Sequence, residues 1–170
     1  MIKLKKIVAI LGPNAVGKST TSKAFLQRFT KCALVDADWC RAINPLPFTQ
    51  STKKTVTENI YCLFRNYLLC EDIDTIVFSY GLHGERKEIF ESIISKLKND
   101  DIEFSLHTVI MKCSVEENIR RALKDGREKE RIERGIKNTF SFYNDFDYPS
   151  IETTNLNPEE VVEEIAKIIK

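Results

Sequence analysis

Gly12, Gly17, Lys18 and Ser19 stand at the fixed positions of the pattern G-x-x-x-x-G-K-[ST], the spacing of a phosphate-binding loop, or P-loop. The chemistry explains the residue types. A polyphosphate must lie against backbone N–H groups, and a side chain at either glycine would hold it off. Gly12 also reaches positive-φ geometries that other residues avoid. The amides of the loop, here those of Asn14, Ala15, Val16 and Thr20 together with the glycines, form a concave anion site. Lys18 is expected to reach the β- and γ-phosphates of a nucleoside triphosphate. The Ser19 hydroxyl is expected to hold Mg²⁺, which keeps several waters and borrows phosphate oxygens as ligands.

Other clusters carry groups suited to the same chemistry. Asp36 and Asp38 follow an apolar stretch directly. Asp36 can support the metal, and Asp38 can take the proton of a hydroxyl that attacks the γ-phosphate. The plain alternative is a pair of solvated turn aspartates. The stretch Arg120 to Lys137 holds Arg121, Lys124, Arg127, Lys129, Arg131 and Arg134, interleaved with acids. It reads either as a solvated helix laced with i,i+4 pairs or as a mobile lid over residues 120–137. A lid would bring Arg121 and Arg127 over the transferring phosphate, with Asp125-Gly126 as its flexible break. Gly81-Leu82-His83-Gly84 allows close backbone approach to a ligand. His83, Arg86, Trp39 and Arg41 are candidates for an acceptor pocket, with turn, packing and surface roles as the alternatives.

The elements that must position these groups are legible as well. Lys3 to Leu11 reads as a first strand, and Lys18 to about Phe29 as a helix. Strand, glycine loop and helix is the context the motif needs, which argues against a chance match in a surface turn. The helix N-terminus adds its positive dipole end to the phosphates. Lys31 to Val35 reads as a second strand, and Asn44-Pro45-Leu46-Pro47 as a break. Apolar residues at three- and four-residue steps predict helices over Thr52 to Glu71 and Glu85 to Lys98. Strands are expected at Ile73 to Ser79, Phe104 to Lys112 and Pro149 to Thr154. Ser114 with Glu117 has the spacing of a capping box. Asn157 caps a last helix with Pro158 at its first position. Strands alternating with helices predict an α/β fold with a parallel sheet covered on both faces.

The chain has 170 residues, 42% hydrophobic and 30% charged, with a net charge of +1. That length favours a single domain over residues 1–170. The charge gives no global attraction to nucleic acid or membrane, and no apolar run approaches the roughly 20 residues that span a bilayer. The lysines before the first apolar run lack the cleavage site of a signal peptide. The five cysteines are odd in number and form no C-x-x-C pair. They read as reduced residues of a cytoplasmic protein.

With these features together, the chain resembles the small P-loop kinases, the group that holds nucleotide kinases, shikimate kinase, gluconate kinase and chloramphenicol phosphotransferase. The resemblance runs over nearly the full chain and is most specific at Gly12 to Ser19. It implies a three-layer fold with a five-stranded parallel sheet in the order 2-3-1-4-5 and a short helical lid. Asp36 and Asp38 resemble the pair that serves magnesium and the acceptor hydroxyl in shikimate-type kinases. Thr153-Thr154-Asn155 with Pro158-Glu159-Glu160 is similar to the segment bordering adenine, which places Thr154 and Asn155 at the base. The third strand ends Phe78-Ser79-Tyr80, without the family's aspartate, so Asp36 takes that role. The Asp-Gly-Phe-Pro-Arg signature of adenylate kinases is absent, and Gly81-Leu82-His83-Gly84 replaces the three-glycine run of shikimate kinase.

The expected activity is ATP- and Mg²⁺-dependent transfer of phosphate to a small molecule or nucleotide, by a monomer or homodimer. Two alternatives stand beside it. One is a kinase of a large acceptor, such as a polynucleotide end or an activated sugar. The other is a non-catalytic module switched by ATP.

Overall fold

Five parallel strands line up in the order β2-β3-β1-β4-β5 in the computed structural model, which describes residues 4–169. They are β1 (Lys5–Leu11), β2 (Cys32–Asp36), β3 (Thr75–Tyr80), β4 (Phe104–Lys112) and β5 (Ser150–Glu152). Lys3, expected in the first strand, lies outside the described residues. The order is the expected one. β5 is shorter than the expected Pro149 to Thr154; the last ladder bond is Thr153 N–H to the Lys112 carbonyl, after which the Leu156 N–H to Thr153 carbonyl bond turns the chain toward the next helix.

The sheet is covered on both faces, and the period-two alternation of its strands divides the core. Ile7, Ala9 and Leu11 of β1 join Ile76, Phe78 and Tyr80 of β3 on one face. There α3 (Gln50–Leu69) and α4 (Arg86–Asn99) cover them. Phe64 of α3 meets Phe78 edge-on at 5.0 Å, and Phe78 stacks on Tyr80 at 5.0 Å. Val8 and Ile10 of β1 turn to the other face, with Val77, Val109 and Met111. That face lies under α1 (Lys18–Arg28) through Phe25, and under α7 (Pro158–Ile168) through Val161, Val162 and Ile165. The middle strand is thus apolar on both faces, which is why β1 reads as a continuous hydrophobic run.

One local device differs from expectation, and the charged stretch breaks where Asp125-Gly126 predicted. Ser114 does cap α5 (Val115–Lys124) by accepting from the Glu117 N–H at 3.1 Å. The Glu117 carboxylate does not complete the box; it pairs with Arg120 and Arg121. The Ser114 N–H donates to Thr154 Oγ1 at 2.8 Å instead. The charged stretch is not one helix. It is the end of α5, a break at Gly126 with φ 71, and α6 (Lys129–Thr139). Among the described residues its ion pairs are Arg120 and Arg121 with Glu117, and Arg127 with Asp125; no i,i+4 pair forms within α6.

A 3₁₀ turn (Ser141–Asp145) after α6 carries Tyr143, which is buried in the core cluster beneath α3 and α4. Its hydroxyl accepts the Leu82 N–H at 2.8 Å and contacts the Gly12 backbone. One side chain thereby ties the loop after β3 to the start of the P-loop. Tyr143→Phe leaves a buried N–H without a partner. The expected loss, read from the urea midpoint, is about 1–3 kcal/mol of stability.

Candidate active site

The carboxyl ends of β1, β2 and β3 open on one cleft, as parallel α/β sheets dispose their ligand sites. The register sets Leu11 beside Tyr80 and Asp36 beside Ser79. Gly12 follows Leu11 at φ 144, and a Cβ there would sit 2.5 Å from the Met111 carbonyl oxygen. Gly17, at φ 104, begins α1 with no side chain capping the helix. The first amides of α1 are therefore left for an anion. The loop is held from behind. Asn118, buried on α5, donates from Nδ2 to the Asn14 carbonyl at 2.8 Å.

Lys18 folds back over the loop and donates to the carbonyls of Gly12 at 2.9 Å and Pro13 at 2.7 Å. Burial, with the cations Arg86 and Arg127 acting the same way and Asp38 against them, brings its pKa down to about 7. Lys18, Ser19, Asp38, Arg41, Ser79, Arg86 and Arg127 line this cleft together, with Asn14, Ala15, Gly17 and Thr20.

Asp36 stands at the end of β2, and its Oδ1 accepts the Asp38 N–H at 2.8 Å, capping α2 (Ala37–Cys40). Asp38 is exposed in the cleft and pairs with Arg41, whose Nε lies 3.0 Å from Oδ1. The donors lining this cleft that suit a cation are oxygens, the Ser19 hydroxyl and the Asp38 carboxylate; Asp36, expected to support the metal, is not among the lining residues and its Oδ1 caps α2. That set suits a hard ion such as Mg²⁺. Among the described residues no group of three or more His, Cys, Asp or Glu could hold a metal, so a cation here would draw its remaining ligands from phosphate and water.

A second cleft runs from the other side of the P-loop. Ala15, Val16, Gly17 and Thr20 line it together with Arg120, Arg121, Thr154, Asn155 and Pro158. The loop therefore lies between a cleft lined by Thr154 and Asn155 and a cleft lined by Lys18, Asp38 and Arg127. Arg121 belongs to the first. Its guanidinium donates to the Val16 carbonyl at 2.7 Å, the Thr153 carbonyl at 2.7 Å and Glu117 at 2.6 Å. These bonds tie α5 and the residue after β5 to the P-loop, and the guanidinium suggested by the sequence as a phosphate ligand is engaged by protein acceptors. Arg127, suggested for the same role, lines the other cleft, and its field is felt at Lys18.

The acceptor candidates separate. Arg41 and Arg86 line the cleft, whereas Trp39 is 80% exposed on α2 and lines neither cleft. His83 stands behind Arg86. Its Nε2 accepts from Arg86 Nη1 at 2.9 Å, which puts the imidazole proton on Nδ1. Burial, then Arg86, Lys18 and Arg41, lowers its pKa to about 4, so it is neutral near pH 7. Gly81 makes the arrangement possible, since a Cβ there would meet the His83 ring at 2.9 Å. Tyr143 and Asn118 drew no notice in the sequence; the aromatic run Phe140-Ser141-Phe142-Tyr143 was the one signal available for the first.

No family model and no curated protein matches the sequence. Solved structures do match. A tunicamycin resistance protein from Deinococcus radiodurans is 16% identical with a TM-score of 0.67, over 97% of this chain and 96% of that one. The fold is that of the P-loop kinases. An APS kinase from Mycobacterium tuberculosis, in complex with AMPPNP and APS, is 16% identical with a TM-score of 0.66, over 98% of both chains. A shikimate kinase from Aquifex aeolicus is 17% identical with a TM-score of 0.56, over 96% of this chain and 95% of that one. Among the described residues no helix of this P-loop kinase fold is long and apolar enough to cross a membrane.

Proposed function

We propose that the protein is an ATP-dependent phosphotransferase acting on a hydroxyl of a small molecule. The observation that carries the reading is the position of Asp38. An exposed carboxylate shares one cleft with the P-loop lysine, the Ser19 hydroxyl and the cations Arg41, Arg86 and Arg127. The triphosphate lies on Gly12 to Ser19, with the base toward Thr154 and Asn155. The acceptor oxygen attacks the γ-phosphorus, its proton passes to Asp38, and the bond to the bridging oxygen breaks to release ADP. Lys18 and Arg127 bear on the oxygens that gain charge, so positioning and electrostatics supply the catalysis. Ser19 and Asp36 would hold Mg²⁺, which when bound neutralises charge on the phosphates.

This function sets a pH dependence. A triphosphate beside Lys18 favours its charged form, so its pKa rises on binding from about 7 in the free protein. Below that pH the lysine is already protonated and affinity is full. Above it, binding must take up a proton, and affinity falls by up to about tenfold per pH unit. Calorimetry of AMPPNP binding at about pH 8, in two buffers of different ionisation enthalpy, should show net proton uptake by the protein. Uptake independent of Lys18, tested in Lys18→Ala, would contradict the assignment.

The reading itself is tested by ATP consumption against pooled nucleosides, nucleoside monophosphates, sugar acids, shikimate, aminoglycosides and other hydroxylated antibiotics. One pool is expected to stimulate above the acceptor-free rate. Tight ATP binding with no stimulation by any pool would favour the nucleotide-switched module. That second reading draws on Ser79 standing at the end of β3 where the kinases it resembles carry aspartate.

A further inference from the structure

We infer that the acceptor is an amphiphilic anion: a small hydroxylated molecule whose anionic group meets Arg86 and whose compact apolar part enters the pocket beside residues 46–48. This rests on the phosphotransfer reading and names the substrate class for it. The pocket is lined by Leu46, Pro47, Phe48, Val56 and Ile89, and it shares Arg41, Tyr80 and Arg86 with the phosphate cleft. An acceptor held before Asp38 therefore meets an apolar wall on its far side.

The charges around that junction are not equivalent. Arg41 is paired with Asp38, and Lys53 with Glu85 and Glu88. Arg86 is partly buried, has no ion pair among the described residues, and is held on one side by the neutral His83. A partly buried guanidinium that lines both pockets and makes no direct ion pair among the described residues is a site for an anion. Phe48 stands 65% exposed at the same rim. A ligand group that covers it removes apolar surface from water. A purely polar sugar acid satisfies Arg86 and leaves the apolar wall wet; a neutral apolar alcohol does the reverse.

The test uses inorganic phosphate, butyl phosphate and phenyl phosphate as probes, with acetate and benzoate as a carboxylate pair. Each is titrated calorimetrically into the full chain with and without saturating Mg²⁺ and AMPPNP, so that the P-loop is filled in one arm. Butyl or phenyl phosphate is expected to bind about tenfold more tightly than phosphate, or benzoate than acetate. The Leu46→Ser/Phe48→Ser double variant, changed only in an irregular segment, should erase that gain and leave inorganic phosphate binding unchanged. Arg86→Gln, checked for folding by its melting curve, should weaken every anion in the series alike. A gain in neither series, or a gain that survives the double substitution, overturns the proposal. The nucleotide titration keeps the two readings apart. Nucleotide binding without the apolar gain removes the acceptor class alone. Failure of nucleotide to bind removes phosphotransfer, and the gain is then read in the nucleotide-free arm.

Discussion

Lys18→Ala is expected to lower acceptor-dependent ATP consumption by about 10³-fold or more while leaving the melting temperature unchanged or higher. The loss follows from geometry, because Lys18 is the cation set directly over the phosphate loop. The retained stability follows from its charge. In the folded protein its pKa is about 7 against an ordinary 10.5, so the unfolded chain binds this proton more tightly. That difference opposes folding in full below about pH 7 and is relieved as pH rises toward the ordinary value. Alanine removes the opposition together with the two carbonyl hydrogen bonds of Lys18. Parallel calorimetric melting and activity assays check both halves. Activity that survives the substitution would remove the P-loop from the mechanism.

Asp38→Asn should lower turnover by roughly 10²–10⁴-fold with nucleotide affinity nearly intact. Asparagine keeps the shape and loses the proton acceptor. It also releases Arg41, which in the wild type is held by Asp38. Binding of an anionic acceptor should therefore hold or tighten while turnover collapses, a split that a merely structural aspartate would not show. Asp36→Ala makes the contrast, because it removes the Oδ1 that caps α2 and should loosen the whole Asp36–Arg41 segment. Turnover unchanged in Asp38→Asn would return that residue to a solvated turn.

The parts of this protein that repeat a local rule were legible in the sequence. The all-apolar β1, the glycine spacing and the Asn157 cap, which accepts the Glu160 N–H, each follow from chemistry within a few residues. Strand order needed the resemblance, since no local signal tells β3 to lie between β2 and β1. The site was legible where side chains serve the phosphate and illegible where they serve one another. Arg121 and Arg127 look alike in sequence, yet carbonyls of Val16 and Thr153 take the first and leave the second at the cleft. His83 reads as a substrate donor or a turn histidine, and nothing local tells that Arg86 engages its Nε2. Asn44-Pro45-Leu46-Pro47 reads only as a break, because a pocket wall built from an irregular segment has no period. Tyr143 lies in a turn that only the tertiary fold brings to Leu82.

The central claim is that Asp38 and Lys18 act on one phosphate in one cleft. The most direct test follows the γ-phosphate of labelled ATP in the wild type, Lys18→Ala and Asp38→Asn, with the pooled acceptors present. Label is expected in an organic phosphate ester for the wild type, with ester formation greatly reduced in both variants and nucleotide still bound by Asp38→Asn. Label released only as inorganic phosphate, or ester formed equally well by Asp38→Asn, would contradict it.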